Sequence, residues 1–246
     1  MKDLTSGNIY KTFLLFTIPL VFAALLSQTY NLLDTVIAGK FLGDSGIAAI
    51  GSTSSFMDFL SSAFWGYSAG FSILVARLFG AKDFVRMKHT VRSNLFLLIA
   101  AMILCCALCL IFADPILGFL KVDPDIYAQA KIYYLLYVSG LPLIILSTSG
   151  VHICNSLGMS GYPLKMSILS AVLNLSGNLL SVAVFKAGVA GIALSSVFAA
   201  LVADVFYVFK IRRCYKELSL PKDRFSLDLS LVKTSLSYAV PTMAQQ

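Results

Sequence analysis

Long apolar runs separated by short polar segments dominate the sequence. Six of the runs are long enough to cross a lipid bilayer as a single helix, which takes about 20 predominantly apolar residues. A seventh apolar run begins near Leu231. The predicted spans are residues 12–35, 52–79, 91–112, 126–149, 163–185 and 189–209. This pattern predicts an all-α polytopic membrane protein.

The basic residues fall mainly into alternate loops. Lysines and arginines crowd the loop after span two and the segment after span six, whereas Asp114, Asp123 and Asp125 face only Lys121 in the loop between spans three and four. Because cytoplasmic loops carry the excess of Lys and Arg, we expect the N-terminus and the basic loops to be cytoplasmic. The net charge of +7 then reflects topology and contact with anionic membrane lipids, and it requires no nucleic-acid partner.

The start of the first span returns near the end of the chain. Residues 11–19 begin with Lys-Thr and end with Ile-Pro, and residues 233–241 begin with Lys-Thr and end with Val-Pro. Six spans bring the chain back to its starting side, so the second copy would begin in the same orientation, as in parallel-repeat transporters. We predict a six-helix lobe at residues 1–209, a cytoplasmic linker at 210–230 and the start of a second lobe at 231–246.

The composition agrees with a polytopic membrane protein, and the residue motifs limit the kinds of chemistry to expect. Hydrophobic residues make up 58% of the chain and charged residues 13%, against about 45–50% and 25% in soluble domains. The first apolar run is too long for a signal peptide, so we expect an uncleaved anchor. Three of the five cysteines share span three and are expected to be apolar filler. We find no phosphate-binding loop, metal-ligand spacing or nucleophile–base pair, and we predict neither an enzyme nor a cofactor.

Two residues interrupt the apolar first span. Pro19 lacks a backbone donor and is the predicted hinge. Asp34 places a carboxylate near the far end of the span, at a cost of about 2.5–3.5 kcal/mol on membrane-insertion scales. Asn31 precedes Asp34 by three residues and is predicted to share its helical face as a polar cavity residue. Asp34 is then a cavity carboxylate that binds a proton or a sodium ion; the alternative is a water-exposed carboxylate at the interface.

Two asparagines in span five form a second candidate. Asn174 and Asn178 are four residues apart and share a helical face, at the level of Asp34 in the predicted topology. Their amide oxygens would join Asp34 in a polar pocket, to which Ser196 of span six would add a hydroxyl. The alternative is that these amides hold helices together, and the small residues that open span six favour close helix packing.

Two further carboxylates lie inside apolar runs. Asp204 in span six is close to the predicted cytoplasmic interface, and we expect it to pair with a basic residue there. Asp58 lies in the outer part of span two, and its sequence context does not decide between a structural and a functional role. The aromatic cluster at residues 64–71 is more typical of packing than of drug binding.

Several segments taken together resemble the multidrug and toxic compound extrusion (MATE) family. In chain order they are IP…NLLDTVIAGKFLG in the first span, RLFGAKD after the second, NSLGMSGYPLKM before the fifth, LNLSGN within it and GVAGIALSS in the sixth. The resemblance covers essentially the whole chain, and it corresponds to the first half of a family member plus the start of the second. It implies twelve helices in two six-helix lobes around a central cavity.

The resemblance also implies site residues. The family's first-helix proline and carboxylate fall on Pro19 and Asp34, and a helix-five asparagine of its cation site falls on Asn174. A helix-five aspartate of that site is replaced here by Asn178, and the helix-six threonine is replaced by Ser196. The change at residue 178 removes a negative charge, which leaves open whether the coupling cation is H⁺ or Na⁺.

The function implied is the exchange of protons or sodium ions for cationic or amphipathic drugs and toxic compounds across the cell membrane. The expected partners are those small molecules, membrane lipids and a second lobe of the same chain. A flippase of lipid-linked oligosaccharide or peptidoglycan precursors is the alternative within the superfamily. No Lys or Arg lies deep in the six spans to hold a pyrophosphate, which disfavours the flippase. A non-transporting receptor or scaffold is a third hypothesis, and polar residues on the predicted cavity faces argue against it.

Overall fold

The computed structural model of the chain describes residues 9–218 and 227–245. Seven side chains within these ranges lie outside the description: Ile9, Lys11, Thr12, Ser27, Tyr30, Asn31 and Asp34. The described helices are α1 (Ile9–Gly80), α2 (Phe84–Ile111), α3 (Ala113–Phe119), α4 (Tyr127–Ser156), α5 (Gly161–Asn178), α6 (Gly188–Glu217) and α7 (Leu229–Ala244). A π-helical segment, Leu179–Val184, continues α5.

Helix α1 contains both of the first two predicted spans. It is interrupted at Gly43, whose φ of 68° and ψ of −169° suit a residue without a Cβ. The interruption divides α1 into a first arm, residues 9–42, and a second arm, residues 44–80. Residues 36–51, which lie between the first two predicted spans, are therefore helical apart from Gly43, since the backbone resumes its helix directly after that residue. The helix runs through Pro19, and a hinge at that residue stays a prediction.

Five helical segments in the described part of the chain are long and apolar enough to cross a membrane. They are Thr35–Gly80, Phe84–Ile111, Tyr127–Ser156, Gly161–Val184 and Gly188–Glu217, with a shorter apolar segment at Phe13–Leu26. The outward surface is apolar as well, since α6 exposes large side chains at helical spacing: Leu194, Phe198, Leu201 and Val205. Such a surface is what lipid contact requires.

Contacts along α4 show that it runs parallel to the second arm of α1. The hydroxyl oxygens of Ser68 and Ser149 lie 2.8 Å apart. The Ser156 hydroxyl donates to the backbone oxygen of Ser72 over 2.9 Å. Residue numbers therefore increase together along the two helices, which is the relation expected of two spans that cross the membrane in the same direction.

Helices α4 and α6 are also parallel and approach closely at two glycines. A Cβ added to Gly140 would lie 2.0 Å from Val197, and one added to Gly150 would lie 2.5 Å from the Tyr207 ring. Only a residue without a side chain fits at such separations. α4 thus joins α1 on one side to α6 on the other.

Helix α7 packs antiparallel against the second arm of α1. A Cβ on Gly66 would meet Met243, and one on Gly70 would meet Ala239. α7 begins at Asp228, which caps the backbone N–H groups of Ser230 and Leu231. A hydrogen bond from the Ser230 hydroxyl, together with those N–H groups, lowers the pKa of the Asp228 carboxyl from its ordinary value. An antiparallel α7 is what alternating membrane crossings require.

Asp114, which was predicted to lie in a loop, lies in a short helix that the sequence did not predict. α3 follows α2 directly, and Asp114 in its first turn accepts hydrogen bonds from Tyr127 and Lys131 of α4. A carboxylate in the first turn of a helix is favourable because it faces the positive end of the helix dipole.

Candidate functional site

A cavity of about 580 Å³ opens between α1, α4, α5 and α6. Pockets for drug-sized molecules typically enclose about 300–1,000 Å³. Its described lining combines apolar side chains with serine and threonine hydroxyls, one amide from Asn174 and one carboxylate from Asp58. No lysine, arginine or histidine occurs among the described lining residues. The described wall therefore carries a single charge, and that charge is negative.

The predicted polar residues of spans five and six come together at one wall of this cavity. Asn178 donates its amide N–H to the Asn174 side-chain oxygen over 3.1 Å. Asn174 in turn donates to the Ser196 hydroxyl over 2.9 Å. Asn174 and Ser196 line the cavity, whereas Asn178 is fully buried behind them. We call these three residues the amide chain.

Two close approaches hold α5 against α6 around the amide chain. A Cβ on Gly177 would lie 2.8 Å from the Ser195 hydroxyl oxygen, and one on Gly191 would lie 2.5 Å from the Ser181 hydroxyl oxygen. Small residues at such positions let membrane helices pack backbone to backbone. The small residues that open span six thus serve packing, as the sequence indicated, and this packing brings Ser196 within reach of Asn174.

The first arm of α1 contributes to the same cavity near the predicted coupling carboxylate. Thr35 and Ala38 line the cavity, and Ala38 is buried. Asp34 directly precedes Thr35 in the helix. The side chains of Asp34 and Asn31 lie outside the described residues, so their predicted roles rest on their positions in the sequence.

Asp58 is a cavity residue that the sequence left undecided. It lines the cavity from the second arm of α1, on the helical stripe that also carries Gly51 and Ser54. A carboxylate inside an apolar span marks a candidate site for a cation. The sequence did not show whether this stripe faces the cavity or the lipid, because that depends on how the second arm packs against α4.

The expected pairing of Asp204 with a cytoplasmic base is wrong. Its side chain is only 5% exposed, and neither carboxylate oxygen has a hydrogen-bond partner among the described residues. α6 continues to Glu217, so Asp204 lies well inside the helix and away from its basic end. Lys210, the nearest base along the helix, instead lies over the Tyr162 ring, with Nζ 5.4 Å from the centroid.

The aromatic and cysteine clusters have packing roles, as predicted. Tyr67 and Phe71 are buried with ring centroids 5.8 Å apart, and Tyr67 donates to the buried Asn94 side chain over 2.7 Å. Cys106 and Cys109 are free thiols in the apolar core. Among the described residues, no three His, Cys, Asp or Glu side chains group as metal ligands would.

Comparison with known proteins places this architecture in a family. The family model described as MatE matches residues 19–180, which is more than half of the chain. The chain belongs to the MatE family. It is a multi-pass membrane protein, as the sequence predicted, and the match spans both the first arm of α1 and the asparagines of α5.

Curated relatives of the chain are named as multidrug transport proteins. The chain is 24% identical over 211 residues to the probable multidrug resistance protein YpnP of Bacillus subtilis (strain 168), covering 85% of the chain and 47% of the relative. It is 25% identical over 240 residues to the multidrug export protein MepA of Staphylococcus saprophyticus, covering 96% of the chain and 49% of the relative. The chain spans about half the length of these relatives.

Solved structures share the fold. A crystal structure of MATE in the straight conformation matches with a TM-score of 0.86 at 19% identity, over 97% of the chain and 53% of that protein. A crystal structure of MATE in the bent conformation matches with a TM-score of 0.84 at 20% identity, over 96% and 53%. At this level of identity the likeness establishes the fold alone.

Proposed function

We propose that the chain supplies one six-helix lobe of an ion-coupled antiporter that exports cationic or amphipathic compounds. A proton or a sodium ion would bind near Asp34 and the amide chain, and cargo would bind in the cavity beside it. Coupling requires that the ion and the cargo favour different conformations of the lobe. Transport, rather than catalysis, is the activity we assign to this site.

The observation that carries the proposal is the amide chain in the wall of a drug-sized cavity. The Asn178–Asn174–Ser196 hydrogen bonds hold polar side chains in place within an apolar bundle. Polar side chains inside a membrane span are costly, and they mark candidate sites for a small cation. The helix position of Asp34, one residue before the lining Thr35, supports a carboxylate near that wall. Family membership and the names of the relatives support export as the direction of transport.

The lining charge favours an exporter of cations over a flippase of pyrophosphate-linked lipids. A pyrophosphate needs basic side chains to replace its hydration, because burying an unpaired anion is strongly unfavourable. The described cavity wall offers Asp58 and no base. Rescue of a cell-wall precursor defect without any drug export would reverse this preference.

The test uses the protein at the full length of its relatives, reconstituted into liposomes. We expect an imposed proton or sodium gradient to drive the transport of a fluorescent lipophilic cation. Asp34→Asn removes the exchangeable charge and should abolish the gradient-driven component. Asp44→Asn is the matched control in the same helix, since the exposed Asp44 is not among the cavity-lining residues, and it should transport like the unmodified protein.

Thermal melting of both variants shows whether each is folded. If folded Asp34→Asn protein kept full gradient-driven transport under both gradients, Asp34 would not be the coupling group. If the unmodified protein moved no lipophilic cation under either gradient, the antiporter proposal itself would be wrong.

A further inference from the structure

Asp58 presents a carboxylate to the cavity without a partner among the described residues. No described residue forms a hydrogen bond or ion pair with it; ion pairs between described residues occur elsewhere, for example at Asp83, Asp114 and Glu217. A charge in a membrane span is costly unless something compensates it. The cavity in front of Asp58 is the place where a compensating positive charge can come and go.

Two stacked tyrosines of α4 line the same cavity. The rings of Tyr133 and Tyr137 lie 5.7 Å apart between centroids, with an interplanar angle of 28°, and both residues contribute to the lining. The negative face of an aromatic ring attracts a cation, most strongly where water is excluded. Tyr137 is half-buried, so its ring also offers apolar area to a large organic molecule, whereas Tyr133 supports it from a nearly buried position.

The register of the two helices places Asp58 level with these rings. The Phe56 and Tyr134 rings pack with centroids 6.2 Å apart, and Ser68 bonds to Ser149 further along the same parallel pair. The partners differ by 78 residues at the first contact and by 81 at the second. Asp58 lies two residues beyond Phe56, so these offsets place it at the level of residues 136–139, which include Tyr137, and both Asp58 and Tyr137 line the cavity.

We infer that Asp58, with Tyr133 and Tyr137, recognises the positive charge of an organic cation carried by this protein. A delocalised or quaternary cation needs a negative charge and aromatic faces more than it needs hydrogen-bond acceptors, and this corner of the cavity provides both. The inference rests on the proposed export function and names the group that selects the cargo. It assigns cargo recognition to the wall formed by the second arm of α1 and α4, called the α1–α4 wall, and leaves ion coupling to Asp34 on the first arm and to the amide chain.

The test compares two probes of similar shape and different charge. Tetraphenylphosphonium is a lipophilic cation, and triphenylphosphine oxide is neutral. Binding of each is measured on the purified full-length protein. We expect Asp58→Asn to weaken tetraphenylphosphonium binding by about tenfold, because the cation loses the negative charge of the described lining. Binding of the neutral probe should change by less than about twofold, which also shows that the variant is folded.

Two further variants sharpen the result. Asp58→Glu keeps the charge and should retain the preference for the cation over the neutral probe. Tyr137→Leu removes one ring and should weaken cation binding by about fivefold, in the range of a cation–π contact. Asp44→Asn, outside the cavity lining, serves as the charge-matched control and should bind both probes normally.

The outcomes separate this inference from the proposed function. If Asp58→Asn bound both probes normally, or lost both equally, Asp58 would not recognise charge and the inference would be wrong. In either case the antiporter proposal would stand if the unmodified protein showed gradient-driven transport and Asp34→Asn did not. If Asp58→Asn instead kept gradient coupling but needed more tetraphenylphosphonium to reach half-maximal rate, both would be supported.

Discussion

The polar side chains on the two walls of the cavity differ in their hydrogen bonding. On the α5–α6 wall, Asn178, Asn174 and Ser196 hydrogen-bond to one another and are held in place by glycine contacts between the helices. On the α1–α4 wall, Asp58 faces the cavity with no hydrogen bond or ion pair from a described residue. In our proposal the first wall is held rigidly enough to select a small ion, and the second has an open charge for cargoes of different shape. The difference suggests a division of labour within one cavity.

The largest effect should come from separating the walls by disturbing the contact of α4 with α6, which joins one wall to the other. Gly140→Ala places a methyl group 2.0 Å from Val197. Overpacking of this kind costs about 1–3 kcal/mol. We expect a lower melting temperature and the loss of both ion coupling and cation preference in the full-length protein. Gly118→Ala, where a Cβ meets nothing within 4 Å, is the control, and equal melting of the two variants would contradict this account of the α4–α6 contact.

A more selective change breaks the α5–α6 wall alone. Asn178→Leu removes the donor to Asn174 and leaves a buried acceptor without that hydrogen bond, at a cost of about 1–3 kcal/mol. Gradient-driven transport should fall sharply, while the preference of binding for tetraphenylphosphonium over triphenylphosphine oxide is retained. Ser176→Ala on the exposed face of α5 should affect neither property. Normal coupling in folded Asn178→Leu protein would remove the amide chain from the ion site.

A smaller effect tests the register of the α1–α4 wall. Ser68→Ala or Ser149→Ala leaves one hydroxyl of a buried 2.8 Å pair without its partner. Each single substitution should lower the free energy of unfolding by about 0.5–1.5 kcal/mol, and the double substitution should cost less than the two singles combined. Strict additivity in this double-mutant cycle would mean that the two hydroxyls do not interact, and the alignment of Asp58 with Tyr137 would lose one of its two supports.

The smallest effect is expected for a charge outside the cavity. Lys131 pairs with Asp114 at an exposed site, where solvent and salt screen the attraction. Lys131→Gln should therefore leave the melting temperature, ion coupling and probe preference unchanged within error. A change in cation preference would show that long-range charge, rather than the contact at Asp58, selects the cargo.

Much of the fold follows from the sequence because membrane spans have a strong local signal. Each predicted span lies on a helix, since an apolar run of about 20 residues has few other stable structures in a bilayer. The interruption of α1 was harder to locate, because residues 40–46 contain two glycines and two charged residues. The positive φ falls on Gly43, and no local pattern separates it from Gly46.

The site was predictable where spacing along one helix was sufficient. The separation of Asn174 and Asn178 by four residues predicted a shared face, and Ser196 was proposed from its place in span six and from the family resemblance. Asp58 and Asp204 required the packing of several helices. The stripe that carries Asp58 faces the cavity because of the way the second arm of α1 packs against α4. The extension of α6 to Glu217 places Asp204 well before the basic end of the helix.

The central claim is that one cavity separates two tasks, with ion coupling at Asp34 and the amide chain and cargo recognition at the α1–α4 wall. Asn178→Leu and Asp58→Asn, each in the full-length protein and in the same liposomes, test it through gradient-driven transport and through the ratio of tetraphenylphosphonium to triphenylphosphine oxide affinity. We predict that Asn178→Leu loses coupling and keeps the affinity ratio, and that Asp58→Asn keeps coupling and loses the ratio. Loss of both properties in both folded variants would contradict the claim.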